Sequence, residues 1–141
     1  MGAAAATAVA ANFVWLGMVL AISFIEAPLK FRAPGVTLPI GLGIGRLVFR
    51  ALNGVEAALA IVLLASVVSA RPPTLAVGAA ATVVGALVVQ LVAVRPRLTR
   101  RSDAVLAGSD APRSRAHYAY VGLEVVKVVG LIVAGIALLS R

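Results

Sequence analysis

Three ionisable side chains interrupt apolar stretches of the chain at spacings that would let them act together. Glu56 lies inside the apolar run that follows Arg46, Glu124 comes nine residues after Arg115, and Lys127 comes three residues after Glu124. Carboxylates held in an apolar interior bind a proton or a cation, or they pair with a buried base. The chemistry that these residue types predict is therefore reversible ion or proton binding inside a bundle of helices.

Other polar residues share helical faces with the two acids. Asn53 lies three residues before Glu56, and His117 lies seven residues before Glu124. Residues three, four or seven positions apart fall on one face of an α-helix. The spacing predicts one polar stripe on each of two helices: Arg46, Arg50, Asn53 and Glu56 on one, and His117, Tyr120, Glu124 and Lys127 on the other.

The third glutamate, Glu26, lies one helical turn before Lys30 and is expected near the membrane surface. It completes the set of candidate ligand- or proton-binding residues. That set is Glu26, Asn53, Glu56, His117, Glu124 and Lys127.

Two interpretations of the buried acids remain open. Glu124 and Lys127 form either a structural ion pair that fixes the register of their helix or part of a functional site. Glu56 has no cation at its own depth in its own helix, since Arg46 is ten residues away. This difference predicts that Glu124 is the paired acid and that Glu56 is the one free to bind a ligand.

Several kinds of site are excluded or disfavoured by residue type. The chain has no cysteine and one histidine, so thiol chemistry and a bis-histidine haem within one chain are excluded. The spacing of His117 and the glutamates matches no metal signature, and no catalytic triad or HExxH motif is present. We therefore expect no metal and no cofactor. Trp15, Tyr118 and Tyr120 are expected to be interfacial or packing aromatics.

The composition places the chain in a lipid bilayer. Apolar residues make up 62% of its 141 positions, the mean hydropathy is +1.06, and only 13% of the residues are charged. The net charge of +8 does not indicate nucleic-acid binding, because the basic residues flank the apolar runs instead of mixing with aromatics on a polar surface.

The apolar runs predict an all-α integral membrane protein with one domain of four spans, at about residues 7–28, 46–69, 74–94 and 116–139. Polar loops are expected at 29–45 and 95–115. Ten of the thirteen Lys and Arg residues lie in 29–50 and 95–115. The positive-inside rule then predicts a cell-membrane protein with both long loops in the cytoplasm and both termini outside.

The two halves of the chain resemble each other at an offset of 68 residues. Pro28 then aligns with Pro96, and the Gly-x-Glu sequence ending at Glu56 aligns with the one ending at Glu124. A repeat of two spans keeps its orientation, so the halves would be related by an axis near the membrane normal. The expected architecture is two helical hairpins packed as a four-helix bundle, with the two glutamates facing each other.

Short motifs in the first half carry a family resemblance. Trp15-Leu-Gly17, Pro28-Leu-Lys-Phe31 and Arg46-Leu-Val-Phe49 resemble small four-span bacterial membrane proteins of unknown function. Those proteins are related to a eukaryotic transmembrane family associated with drug resistance. The resemblance implies a four-helix membrane protein and implies no catalytic residue.

Three functional hypotheses follow. The first is a small membrane protein, expected to form homo-oligomers or to bind a partner, whose buried acids transport or bind a small solute or cation with proton coupling. The second is a non-catalytic accessory or assembly subunit of a larger membrane complex, because small-residue faces at Gly78, Gly85, Gly130 and Gly135 suit close helix contacts. An enzyme acting on a lipid or quinone is the third and least favoured, since no nucleophile or redox ligand set is recognisable.

Overall fold

The fold is a bundle of four long helices. The computed structural model describes residues 1–108 and 115–140, and within these ranges it contains no strand. The helices are Ala3–Arg32, Leu38–Ala70, Thr74–Leu106 and Arg115–Leu139, here called the first to fourth helix. Each contains a stretch long and apolar enough to cross a membrane. The predicted class, an all-α integral membrane protein with four transmembrane helices, is confirmed.

Local sequence signals explain where the second helix begins and ends. The Thr37 side chain accepts a hydrogen bond of 3.4 Å from the backbone N–H of Ile40, and Pro39 occupies the first turn. Both features are typical of a helix start. The helix ends at Ala70, after which Arg71 adopts a left-handed conformation with φ of 49°. Two prolines follow, and they separate this helix from the next.

Both predicted loops are wrong in extent. The glycine-rich residues 41–45 are helical, because the second helix begins at Leu38 and leaves only residues 33–37 between the first two helices. Residues 95–106 continue the third helix as an amphipathic segment that buries Ser102 and Val105. Asp110 and Arg113 of the predicted second loop lie outside the described residues.

The chain reverses direction between successive helices, so the basic residues gather at one end of the bundle. This basic end is where the first and third helices finish and the second and fourth begin. It carries Lys30, Arg46 and Arg95, and Arg46 forms an ion pair of 2.8 Å with Asp103 across the second and third helices. An exposed pair of this kind contributes little to stability.

The four helices form a square in cross-section. The first helix packs closely on the second and on the fourth, and the third packs closely on the fourth, whereas the second and third touch only slightly. The first and third helices therefore lie diagonally opposite each other, as do the second and fourth. A buried apolar core fills the half of the bundle away from the basic end, with Trp15, Leu63, Val83 and Leu131 fully buried.

Two glycines of the fourth helix allow the close contacts. A Cβ built on Gly130 would lie 2.5 Å from Val83 Cγ2, and one built on Gly135 would lie 2.9 Å from Asn12 Nδ2. The Asn12 amide also donates a hydrogen bond of 2.8 Å to the carbonyl of Leu131. Small residues and polar side chains of this kind draw helices together in lipid, where apolar packing alone gives no hydrophobic driving force.

The two halves show similar burial at the 68-residue offset. Ala8 and Ala76, Trp15 and Val83, Glu56 and Glu124, and Leu63 and Leu131 are buried pairs. Each half also has a π-helical segment at the basic end of its first helix, at Leu20–Glu26 and Gln90–Val94. These observations agree with a repeat, which stays a prediction.

The halves also differ in one respect that affects packing. The offset matches Asn12 with Ala80 and Gly135 with Val67. The interface of the second and third helices therefore lacks the amide and the glycine that bring the first and fourth helices together. This difference in side chains explains why one interface is close and its counterpart is slight.

Replacing Gly130 by Ala tests the close contact of the third and fourth helices. The new methyl group meets the buried and branched Val83, so we expect the free energy of unfolding to fall by about 1–3 kcal/mol. Thermal unfolding in detergent, followed by circular dichroism, measures the change. Gly122→Ala is the control, because nothing lies within 4 Å of a Cβ at that position in the same helix. Equal loss of stability in both variants would contradict the packing described.

Candidate functional site

The centre of the bundle holds a buried cluster of two acids and one base. Lys127 Nζ lies 2.5 Å from Glu56 Oε2 and 2.6 Å from Glu124 Oε1. The side chains of Glu56 and Lys127 are 0% exposed and that of Glu124 is 2% exposed. We call these three residues the Glu–Lys–Glu cluster. Because Glu56 is on the second helix and Lys127 on the fourth, the cluster joins two diagonally opposite helices.

Three further side chains donate hydrogen bonds to the carboxylates. Trp15 Nε1 donates to Glu56 Oε2 at 2.7 Å, and Gln90 Nε2 donates to Glu124 Oε1 at 2.7 Å. Ser23 Oγ donates to Glu124 Oε2 at 2.5 Å. Trp15 and Ser23 belong to the first helix and Gln90 to the third, so all four helices contribute to the site.

The two π-helical segments position two of these donors. Ser23 lies within Leu20–Glu26, and Gln90 is the first residue of Gln90–Val94. A π-helical turn holds an extra residue, which changes the direction in which the side chains beyond it point, and such turns are frequent at functional sites. Here each π-helical segment contains the residue, Ser23 or Gln90, that donates a hydrogen bond to Glu124.

With both carboxylates ionised, the charges of the cluster do not balance. Two ionised carboxylates and one ammonium group have a net charge of −1. Three of the four carboxylate oxygens have partners, whereas Glu56 Oε1 is buried without a hydrogen bond. An uncompensated charge is costly in an apolar interior. A proton or a small cation at Glu56 Oε1 would make the cluster neutral, so this atom is the chemically open position of the site.

The structure brings together three of the six candidate residues, Glu56, Glu124 and Lys127. Asn53 lies one turn from Glu56 toward the basic end and is buried, and its Oδ1 has no hydrogen-bond partner. His117 is outside the cluster, half-buried, with its ring 5.6 Å from that of Tyr118. Glu26 is also outside it, at the basic end, with Oε2 3.8 Å from Lys30 Nζ.

One detail of the sequence interpretation is wrong. Glu56 is not the unpaired acid, because Lys127 of the fourth helix contacts it as closely as it contacts Glu124. Along the second-helix stripe Asn53 and Glu56 are buried, whereas Arg46 and Arg50 are exposed. The helix is buried only where it lies among the other three helices, whereas these two basic residues lie nearer its polar end.

Trp15 and Ser23 were missed as members of the site. The sequence predicts an interfacial or packing role for Trp15. In the structure its side chain is fully buried, and its Nε1–H donates a hydrogen bond to the Glu56 carboxylate. Its position in the middle of an uncharged span was the available signal, because an indole N–H buried in lipid or protein requires an acceptor. Gln90 is the only strongly polar side chain of the predicted span 74–94, but the sequence does not give its partner.

The described residues offer no group of three or more His, Cys, Asp or Glu side chains that could hold a metal ion. The two central carboxylates already share a lysine. Comparisons of the chain with protein families, curated proteins and solved structures found no match. The resemblance to small four-span bacterial membrane proteins stays a prediction, and the function has to be argued from the geometry of the cluster.

Replacing Lys127 by Met tests the charge balance of the cluster. The change leaves two adjacent buried carboxylates without their cation, so we expect a loss of about 3–5 kcal/mol in stability. Glu124→Gln should cost less, because a neutral Lys–Glu pair remains. Thermal unfolding in detergent measures both variants.

Arg97→Met is the matched control, since it removes one positive charge from an exposed position. Adding Glu56→Gln and Glu124→Gln to Lys127→Met should restore much of the lost stability, because no buried charge is then left. A Lys127→Met protein as stable as Glu124→Gln would show that the lysine does not hold the two acids.

Proposed function

We propose that this membrane protein binds a proton, or a small cation in its place, at the Glu–Lys–Glu cluster and couples this binding to the movement of a small solute across the membrane. The observation that carries the proposal is that one lysine is shared by two carboxylates on diagonally opposite helices. Ionisable residues at mid-membrane are costly and typically mark ion or proton pathways.

The position of the cluster in the bilayer supports the proposal. Glu56 is 18 residues from the start of the second helix and 14 from its end, and Lys127 is at the midpoint of the fourth. At 1.5 Å per residue, both are far from either surface of a hydrocarbon core about 30 Å thick. Solute and coupling-ion sites of many transporters lie at this depth, at the interface between repeats.

The geometry also suggests how binding would be coupled to a change of shape. A proton on Glu56 removes its charge and weakens its attraction to Lys127, while the pair of Lys127 and Glu124 remains within one helix. The attraction between the second and fourth helices is then weaker. Because the second and third helices touch only slightly, that interface is where the two hairpins would separate most easily.

The proposed setting is the cell membrane, with the basic end of the bundle in the cytoplasm. The cations at that end favour this orientation by the positive-inside rule. Both termini would then lie outside, because the first helix begins and the fourth helix ends at the opposite end.

Proton flux into liposomes tests the proton-binding part of the proposal. Purified protein is reconstituted into vesicles that contain a pH-sensitive dye, and dissipation of an imposed pH gradient is followed. We expect Glu56→Gln and Glu124→Gln to lose most of the flux, because an amide cannot bind and release the proton. Asp103→Asn is the control, since this acid lies at the exposed basic end, paired with Arg46.

Trp15 provides a second measurement on the same samples. It is the only tryptophan of the chain and bonds to Glu56, so its fluorescence reports on the cluster alone. We expect a pH-dependent emission in the unaltered protein that Glu56→Gln abolishes. Variants that fold normally, keep the flux and keep the fluorescence change would refute the proposed function.

A second candidate function is that of an accessory subunit in a larger membrane complex. It is favoured by an apolar groove of about 660 Å³ on the lipid-facing side of the third and fourth helices. Gly78, Ala79 and Thr82 line one side of this groove and Gly130 part of the other. Small residues four positions apart permit close approach of another transmembrane helix, which is the occupant we propose.

Filling the groove distinguishes this candidate from the first. The protein is extracted from its source membranes in mild detergent, and the mass of the intact complex is measured. Under this candidate a partner accompanies the unaltered protein and Gly54→Leu, but not Gly78→Leu. Gly54 is a suitable control because it is exposed on the second helix with nothing within 4 Å of a built Cβ. A protein that always purifies alone would contradict the accessory role.

A further inference from the structure

Buried polar groups are distributed unequally on the two sides of the Glu–Lys–Glu cluster. Toward the basic end, the neighbouring layer contains Asn53, Gln90 and Tyr120, and each has a buried oxygen without a hydrogen-bond partner. Toward the opposite end, the buried residues are alanine, valine, leucine and glycine apart from Asn12 and Ser66. The Asn12 amide N–H donates to the carbonyl of Leu131, and its Oδ1 has no hydrogen-bond partner. The buried oxygens without partners are therefore more numerous on the basic side of the cluster than on the opposite side.

The polar layer lies one helical turn from the two acids of the cluster. Asn53 is one helical turn from Glu56, and Tyr120 is one turn from Glu124, both toward the basic end. Gln90 spans the layer, since its amide N–H groups reach both Glu124 Oε1 and the carbonyl of Tyr120. Buried acceptors without partners are places where water binds, because a water molecule needs two to four polar neighbours. The apolar core on the opposite side offers only one such acceptor among the described residues, Asn12 Oδ1.

Between this layer and the basic end lies a small apolar cluster of Val94, Ala116 and Tyr120, against which Phe49 packs. The Tyr120 ring packs edge-on against Phe49, with centroids 5.7 Å apart. The Phe49 ring in turn lies 5.6 Å from Lys30 Nζ and 5.7 Å from the Arg95 guanidinium. The Phe49 ring thus lies between the Tyr120 ring and two cations of the basic end.

We propose that water and protons reach the Glu–Lys–Glu cluster from the basic end alone, through the layer formed by Asn53, Gln90 and Tyr120, and that the apolar half of the bundle seals the cluster from the other side. The Tyr120 hydroxyl, which both donates and accepts, is the group of this layer that would relay a proton toward the cluster. The inference rests on the proposed function, because it assigns the side from which that site exchanges its proton.

Other charged groups surround the entrance at the basic end. Glu26 and Lys30 face it from the first helix and Arg46 and Arg50 lie on the second. Arg95 contributes from the third helix, and His117 lies on the fourth, two turns before Glu124. With cations in excess, the entrance repels other cations, whereas neutral water can enter it.

The chain lacks cysteine, which makes the inference testable by single-cysteine labelling. Asn53→Cys and Ala60→Cys form the matched pair, because both positions are buried on the second helix, three residues before and four residues after Glu56. A charged, water-soluble methanethiosulfonate reagent is added to the purified protein in lipid nanodiscs. Arg97→Cys, at an exposed position, confirms that the reagent is active. We expect Asn53→Cys to react about tenfold faster than Ala60→Cys, or about 1.4 kcal/mol in activation free energy.

A second pair of variants keeps the test informative if a variant of the first pair does not fold. Tyr120→Cys and Leu131→Cys are buried on the fourth helix on either side of Glu124, and the same order of rates is expected. Equal rates within the pairs, no reaction at either member, or faster reaction on the apolar side would overturn the inference.

The labelling result is independent of transport, so the two proposals fail separately. Symmetric labelling together with loss of flux in Glu56→Gln would refute only the one-sided access. Asymmetric labelling together with normal flux in Glu56→Gln would refute only the proposed function.

Discussion

The attraction of Lys127 to two carboxylates is the interaction on which the rest of the bundle depends. Neither hydrocarbon nor an apolar core can solvate these three groups, so their charges must be compensated by one another and by nearby donors. Trp15, Ser23 and Gln90 supply those donors from the first and third helices. The requirement to satisfy one ammonium and two carboxylates therefore fixes the relative depth and rotation of all four helices.

The same requirement leaves the cluster chemically incomplete. A lysine between two acids has one carboxylate too many, and the buried Glu56 Oε1 has no donor. A purely structural pair would be neutral with a single glutamate. The excess acid is what a reversible proton or cation site needs, because the ion that completes the charge balance can also leave. The structure thus unites the two interpretations of the acids, since Lys127 both holds the helices together and leaves an open position at Glu56.

Packing outside the cluster divides the bundle in two directions. Across the membrane plane, Asn12 and Gly135 bind the first helix closely to the fourth, while the counterpart interface of the second and third helices has Ala80 and Val67 instead. Along the membrane normal, most of the unpartnered polar atoms next to the cluster lie on its basic side, and the larger apolar core lies on the other. The proposed one-sided access and the proposed loosening of one interface both rest on these asymmetries.

The amino-acid sequence by itself determined the class and the number of spans, and it placed the ionisable residues near the middle of two of them. These follow from apolar runs, prolines and the placement of charge, all of which act locally along the chain. The sequence also indicated that Glu124 and Lys127 would pair, because a three-residue spacing brings side chains together on one helix. The bounds of the loops were determined less accurately, because a helix can continue beyond its apolar run where caps and packing favour it.

Only the tertiary structure decided which acid the lysine reaches across the bundle. The contact between Glu56 and Lys127 joins residues 71 positions apart. Its existence depends on how four helices rotate against one another, and glycines such as Gly130 and Gly135 set how closely they approach. The same holds for the role of Trp15, whose type favours an interface equally well. Helical periodicity specifies a face of one helix, but the partner of that face is chosen by packing among all four.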